Sequence, residues 1–129
     1  MSTVPVSKTI LIADDEPHIR HIVSDKLRAS GFEVLEARDG EEALELAIST
    51  PPDLLITDLQ MPVLSGLELC QMMKSRPRTS NIPALMLTAR GHVLSREDLA
   101  STNVRELMSK PFGARQLVET VRQILGIAA

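Results

Sequence analysis

The sequence predicts an α/β fold, a doubly wound five-stranded parallel sheet with five helices covering its two faces. Three observations lead there. Five short apolar runs alternate with five stretches of helical spacing, as successive βαβ units require. The runs do not alternate strictly between apolar and polar, which is how strands covered on both faces read. The polar residues able to do chemistry gather at the carboxyl ends of those runs, where an open parallel sheet forms its ligand crevice.

The runs are Thr9 to Ala13, Phe32 to Leu35, Leu54 to Thr57, Ala84 to Thr88 and Val104 to Met108. The fifth carries Arg105 and Glu106 among its apolar residues, so it is expected at an edge or partly exposed. Helix starts are marked independently of hydrophobicity. Pro17 suits a first helical turn. Asp39 with Glu42, and Ser65 with Glu68, have the spacing of capping boxes, and Ser95 with Asp98 is a weaker version. Ala114, Leu117, Val118, Val121, Ile124 and Leu125 form one apolar stripe for the last helix. Loops are marked by Pro51-Pro52, by Arg76 to Pro83 and by Gly91.

Composition narrows the function. At 129 residues there is room for one domain with a proper core, expected over residues 8–126, with residues 1–7 a flexible start. Hydrophobic residues make up 43% and charged residues 24%, the balance of a packed soluble protein. No apolar run approaches the roughly 18 residues of a membrane span, and the start lacks the apolar core of a signal peptide. A cytoplasmic chain is expected. The net charge of -3 and scattered Lys and Arg provide no basic stripe for direct nucleic-acid binding. Phe32 and Phe112 are the only aromatics, too few for a base- or flavin-stacking platform. Cys70 alone excludes an internal disulfide and a multi-cysteine zinc site, and it reads as a buried helix residue. Met61, Met72, Met73, Met86 and Met108 read as core filler, and His18 with His21 as a solvated helix face without a third metal ligand.

The chemistry is positional. Asp14 and Asp15 follow the first run, Asp58 the third, Thr88 ends the fourth and Lys110 follows the fifth. In the flavodoxin-like strand order 2-1-3-4-5, strands one and three are neighbours, so three carboxylates meet in one crevice. Carboxylates so crowded need a cation, and all-oxygen ligation suits Mg2+ better than zinc. Lys110 adds a fixed positive charge. An aspartate can act as a nucleophile toward phosphorus, and phosphoryl transfer rests on positioning and charge neutralisation.

Asp14-Asp15, the run Thr57-Asp58-Leu59-Gln60-Met61-Pro62 with Gly66, Leu87-Thr88-Ala89 and Lys110-Pro111-Phe112 resemble the motifs of response-regulator receiver domains of two-component systems, from about Lys8 to Leu125. The resemblance implies that Asp58 is the phosphoacceptor, and that Asp15, Asp58 and the Gln60 backbone carbonyl ligate Mg2+ while Asp14 acts mostly through water. It implies that Thr88 and Lys110 bind the phosphoryl group and carry the switch, and that the Lys110-Pro111 bond is cis. The donor would be a histidine kinase or histidine phosphotransfer protein. A downstream protein would be met by the fourth helix, fifth strand and fifth helix. Such a domain catalyses only its own phosphorylation and dephosphorylation.

One departure stands out. The family usually carries Tyr or Phe three residues before the lysine, and Leu107 stands there, so the aromatic toggle is missing. Gln60 and Arg90, beside the crevice, stand where the family varies, and the resemblance implies that they set the lifetime of the acyl phosphate, Arg90 by screening attacking water; a solvated loop arginine is the alternative for Arg90. Two rival readings follow. A hydrolase of the haloacid dehalogenase type expects a second acid two residues after the nucleophile, and position 60 is Gln. An unphosphorylated pseudo-receiver acting as an interaction module draws support from Leu107 and is opposed by the intact acidic cluster.

Overall fold

The computed structural model describes residues 7–89 and 94–127. Arg90 and Gly91, singled out above, and most of the predicted flexible start lie outside the described residues. The elements run β1 (Thr9–Ala13), α1 (Pro17–Ala29), β2 (Glu33–Ala37), α2 (Gly40–Ser49), β3 (Leu54–Asp58), α3 (Gly66–Lys74), β4 (Ala84–Thr88), α4 (Arg96–Ala100), β5 (Val104–Ser109) and α5 (Ala114–Leu125). All four strand pairings are parallel, and the sheet order is β2-β1-β3-β4-β5. The predicted α/β sheet and its order are therefore the observed ones.

Alternation along each strand divides the core into two layers. Ile10, Ile12, Leu54, Ile56, Leu85 and Leu87 face one side, where Val23 and Leu27 of α1 and Leu117, Val118 and Val121 of α5 cover them. Leu11, Ala13, Leu55, Ala84 and Met86 face the other, beneath Ala43 and Ala47 of α2 and Leu69, Cys70 and Met73 of α3. With helices on both faces, the central strands have no polar side to present, which explains their unbroken apolar runs. Phe32 is buried and Phe112 packs against the first layer, so both aromatics serve the core.

The start signals act as written, with one shift. Pro17 is the first residue of α1. The Ser65 and Ser95 hydroxyls accept from the amides of Glu68 and Asp98, whose carboxylates reach back to the cap amides, so both are complete capping boxes. Asp39 likewise accepts from the Glu42 amide at 2.8 Å, but the Glu42 carboxylate accepts from Arg38 N–H at 3.0 Å, one residue earlier than the box pattern. Helix α5 ends on Gly126 in the left-handed conformation, φ 69°, which closes it without a Cβ penalty.

Some readings need correction. Strand β2 lies two residues later at its end than the apolar run suggested, because as an edge strand it admits Glu33 and Glu36. Met72 is not core filler: it is 37% exposed on the outer side of α3, while Met73, Met86 and Met108 are buried. Strand β5 is the other edge, and Arg105, Glu106 and Leu107 are exposed as its sequence foretold.

One glycine fixes how the sheet's carboxyl edge is built. Gly66 opens α3 directly against β3, donating its N–H to the Leu59 carbonyl at 2.8 Å. A Cβ at Gly66 would collide with the carbonyl oxygen of Asp58 and lie 3.0 Å from the Cα of Leu59. Neither obstacle is a flexible side-chain end. Gly66→Ala is thus expected to lower unfolding free energy by roughly 2 kcal/mol, in the range of overpacked sites, measured by urea denaturation.

Candidate functional site

Asp14 continues β1 by one residue, its N–H donating to the Ala37 carbonyl at 3.1 Å, so its side chain is delivered by the sheet rather than by a free loop. The residue is 1% exposed. Its Oδ1 accepts the Glu16 N–H at 2.9 Å, an Asx turn that leads the chain into α1. Its Oδ2 is buried and has no hydrogen-bond partner among the described residues. Asp58, 7% exposed, is the last residue of β3, on the strand next to β1.

Lys110 reaches this corner from the far side. The Lys110 N–H donates to the Thr88 carbonyl at 2.8 Å, tying the exit of β5 to the end of β4. The Lys110-Pro111 peptide is cis, as the resemblance implied. Its ammonium donates to Asp58 Oδ2 at 3.2 Å and lies 3.7 Å from Asp14 Oδ2 and 3.5 Å from Glu16 Oε1. Burial pushes the Asp14 carboxyl above its ordinary range, against the opposing pull of the Glu16 amide and of Lys110. Partial burial alone would lower Lys110; the charges of Asp14 and Asp58, the hydrogen bond to Asp58 and the charge of Glu16 outweigh it, and its affinity for a proton rises.

Asp14, Glu16 and Asp58 each offer an oxygen within 4.8 Å of the others. Asp15 does not join that group. It is exposed and lines the mouth of a cleft of about 890 Å3, together with Gln60, Met61, Asp58 and Lys110. Thr88 ends β4 and is 3% exposed, with Ser109 beside it in register. Beyond Gln60 the cleft wall makes a tight three-residue turn, with the Leu64 N–H donating to the Pro62 carbonyl at 2.8 Å across Val63 at φ 71°. A β-branched residue there is strained, and strain of this kind concentrates at functional loops.

Two residues of this corner escaped the sequence reading. Glu16, next to the helix-start residue Pro17, carried no signal of its own. It is the N-cap of α1, with an extended backbone at φ -92° and ψ 105°, and its carboxylate lies with those of Asp14 and Asp58. Arg20 is the other: its Nη1 donates to the main-chain carbonyl of Asp14 at 2.8 Å. No motif announces a side chain that binds backbone. The solvated reading of His18 and His21 fits their exposure, although His21 Nδ1 lies 3.3 Å from Glu36 Oε1.

Comparison with known proteins identifies the family and the fold. The model of the family described as "Response regulator receiver domain" matches residues 10–122. The chain is 36% identical over 116 residues to the DNA-binding dual master transcriptional regulator RpaA of Synechocystis, covering 90% of this chain and 48% of that protein. It is 36% identical over 120 residues to the phosphate regulon transcriptional regulatory protein PhoB of Pseudomonas aeruginosa, covering 93% and 52%. It therefore spans about half the length of these curated relatives. Among solved structures, the chemotaxis response regulator CheY4 of Vibrio cholerae superposes with a TM-score of 0.85 at 30% identity, covering 92% of this chain and 99% of that one. The receiver domain of the Francisella response regulator 1452 gives 0.83 at 27% identity, covering 93% and 98%. With a sheet order, a carboxylate corner and a family match that coincide over residues 10–122, the chain belongs to the response regulator receiver domains of two-component signalling.

Proposed function

We propose that this receiver domain accepts a phosphoryl group on Asp58 from a histidine kinase or histidine phosphotransfer protein, with Mg2+ bound beside it, and so switches a protein-binding surface. The observation that carries the reading is the shared ammonium: Lys110 lies within 3.7 Å of Asp58, Asp14 and Glu16 at the carboxyl edge of the sheet. A purely structural ion pair needs one carboxylate, and three crowded together repel one another.

The donor set fits a hard cation. The Asp14 Oδ2 is buried and has no hydrogen-bond partner among the described residues, and two further carboxylates stand beside it. Asp14, Asp58 and Glu16 or Asp15, with the Gln60 carbonyl, are the groups that would hold Mg2+. Bound there, the ion would neutralise charge on the oxygens of the transferred group. The rest falls to the chain. A carboxylate oxygen of Asp58 attacks phosphorus as the P–N bond to the donor's imidazole breaks, and the electron pair leaves with that nitrogen. Lys110 exchanges its contact with Asp58 for a phosphoryl oxygen, and the Thr88 hydroxyl donates a hydrogen bond to another. The chemistry is done on the domain itself, not on a released substrate.

For output, we assign the face of α4, β5 and α5. Leu107 is 37% exposed there and borders a shallow hollow with Leu99 and Val104. A protein partner, rather than DNA, is the proposed target, because the net charge of -3 and the scattered Lys and Arg give no basic stripe to grip nucleic acid. The reading includes a cytoplasmic setting and a receiver unit over residues 8–126, for which the family match over 10–122 is the support. Among the described residues no helix is long and apolar enough to cross a membrane.

Three outcomes are expected. Intact mass after incubation with Mg2+ and a small-molecule phosphodonor should show a single phosphoryl adduct, lost in Asp58→Asn and with EDTA; a folded protein that takes up none would favour the pseudo-receiver module instead. Leu107→Ala should reach the same adduct level as the parent, because the residue lies outside the acidic corner, and failure to do so would refute that separation. For Asp14→Asn the sign follows from burial. A carboxyl raised above its ordinary 3.8 contributes stability below that value and loses it as the pH rises through the folded value. Thermal melting in EDTA at neutral pH should therefore show Asp14→Asn more stable than the parent, with the gap narrowing as the pH falls toward 3.8.

A further inference from the structure

Arg20 projects from the first turns of α1 and is largely buried, with a side chain 13% exposed. It touches two things. Its Nη1 donates to the main-chain carbonyl of Asp14 at 2.8 Å, and its Nε lies 3.3 Å from Oε1 of Glu36 on β2. That Glu36 oxygen is buried, and neither Arg20 nor His21, also 3.3 Å away, is aligned to give it a hydrogen bond. The other Glu36 oxygen lies 3.4 Å from Arg28 Nη2. Glu36 thus lies among three basic groups and pairs with the Arg20 guanidinium by charge.

The contact to Asp14 falls on its carbonyl, while the carboxylate of the same residue is the buried group with an unpartnered oxygen. Asp14 is therefore clamped from both directions. Arg20 holds its C=O and the Glu16 amide holds its Oδ1, and these two contacts fix where Oδ2 stands. A guanidinium can keep a hydrogen bond to a carbonyl through one nitrogen while another faces a carboxylate, a spread that a compact ammonium lacks.

We propose that Arg20 is a positioning residue for the metal-binding carboxylates, acting through the Asp14 backbone and held in place by Glu36. The inference rests on the phosphoacceptor reading above. Arg20 brings a positive charge close to a cation site, so on charge alone its removal would tighten Mg2+ binding. If it positions Asp14, removal weakens binding, as loss of groups that orient metal ligands commonly does by roughly tenfold or more.

The test is calorimetric titration of the full chain with MgCl2, for the parent and for Arg20→Ala, Arg20→Lys, Glu36→Ala and the Arg20→Ala/Glu36→Ala pair, each checked for folding by thermal melting. The expected result is a Kd for Mg2+ raised about tenfold in Arg20→Ala, with Arg20→Lys also weakened because it keeps the charge but cannot bridge both partners. Glu36→Ala should weaken binding alone and add nothing in the Arg20→Ala background. Phosphoryl uptake by Arg20→Ala should recover toward the parent rate at saturating Mg2+. An unchanged or lower Kd in folded Arg20→Ala overturns the proposal, and so does an additive loss in the pair. Should Arg20→Ala fail to fold, Arg20→Lys decides by the same criterion. If the parent itself binds no Mg2+, the phosphoacceptor reading falls and this inference with it; a parent that binds Mg2+ while folded Arg20→Ala matches it sinks this inference alone.

Discussion

Lys110 is the contact on which the carboxyl edge of this sheet depends. Asp14 and Asp58 are brought side by side by backbone pairing, β1 against β3, and neither can withdraw without breaking a strand. Glu16 adds a third negative group. A buried carboxylate without a counter-charge is strongly unfavourable, and the ammonium within 3.7 Å of all three is the compensation built into the chain. Its own placement is secured by the Thr88 carbonyl, so four of the five strands take part in holding one charge. An ammonium shared among several oxygens is also exchangeable, and a site that trades partners can accept a new anion without rebuilding its surroundings.

Much of this was legible in the sequence because the relevant signals are local or topological. Short apolar runs, helix starts at Pro17, Ser65 and Ser95, and a parallel sheet together dictate where Asp14, Asp58, Thr88 and Lys110 end up, whatever the details of packing. The edge position of β5 could be read from Arg105 and Glu106, since a central strand would not tolerate them.

What could not be read depends on the path of single loops or on contacts to backbone. Three acids in a row, Asp14 to Glu16, carry no indication of which join Asp58; the turn across Asp15 brings Asp14 and Glu16 to it and leaves Asp15 out. Arg20 is an unremarkable helix arginine until its partner, a carbonyl six residues earlier, is seen. Met72 and Met73 are chemically identical neighbours, and the helical step of about 100° sends one to the core and the other to solvent. Val63 at positive φ runs against its own preference, which is why no propensity argument finds the turn it makes.

The register between β4 and β5 has a consequence for how molecules meet one another. Ala84 pairs with Val104 and Leu85 with Glu106, so Arg105 is left unmatched and the outer strand is irregular at its start. A strand with a bulge and adjacent exposed charges is a poor template for a further strand, because a newcomer would have to copy the irregularity and bury an arginine. The sheet thus ends at β5 by its own construction. The side chains of this strand can be offered to a partner while its backbone resists the edge-to-edge growth that leads to aggregates.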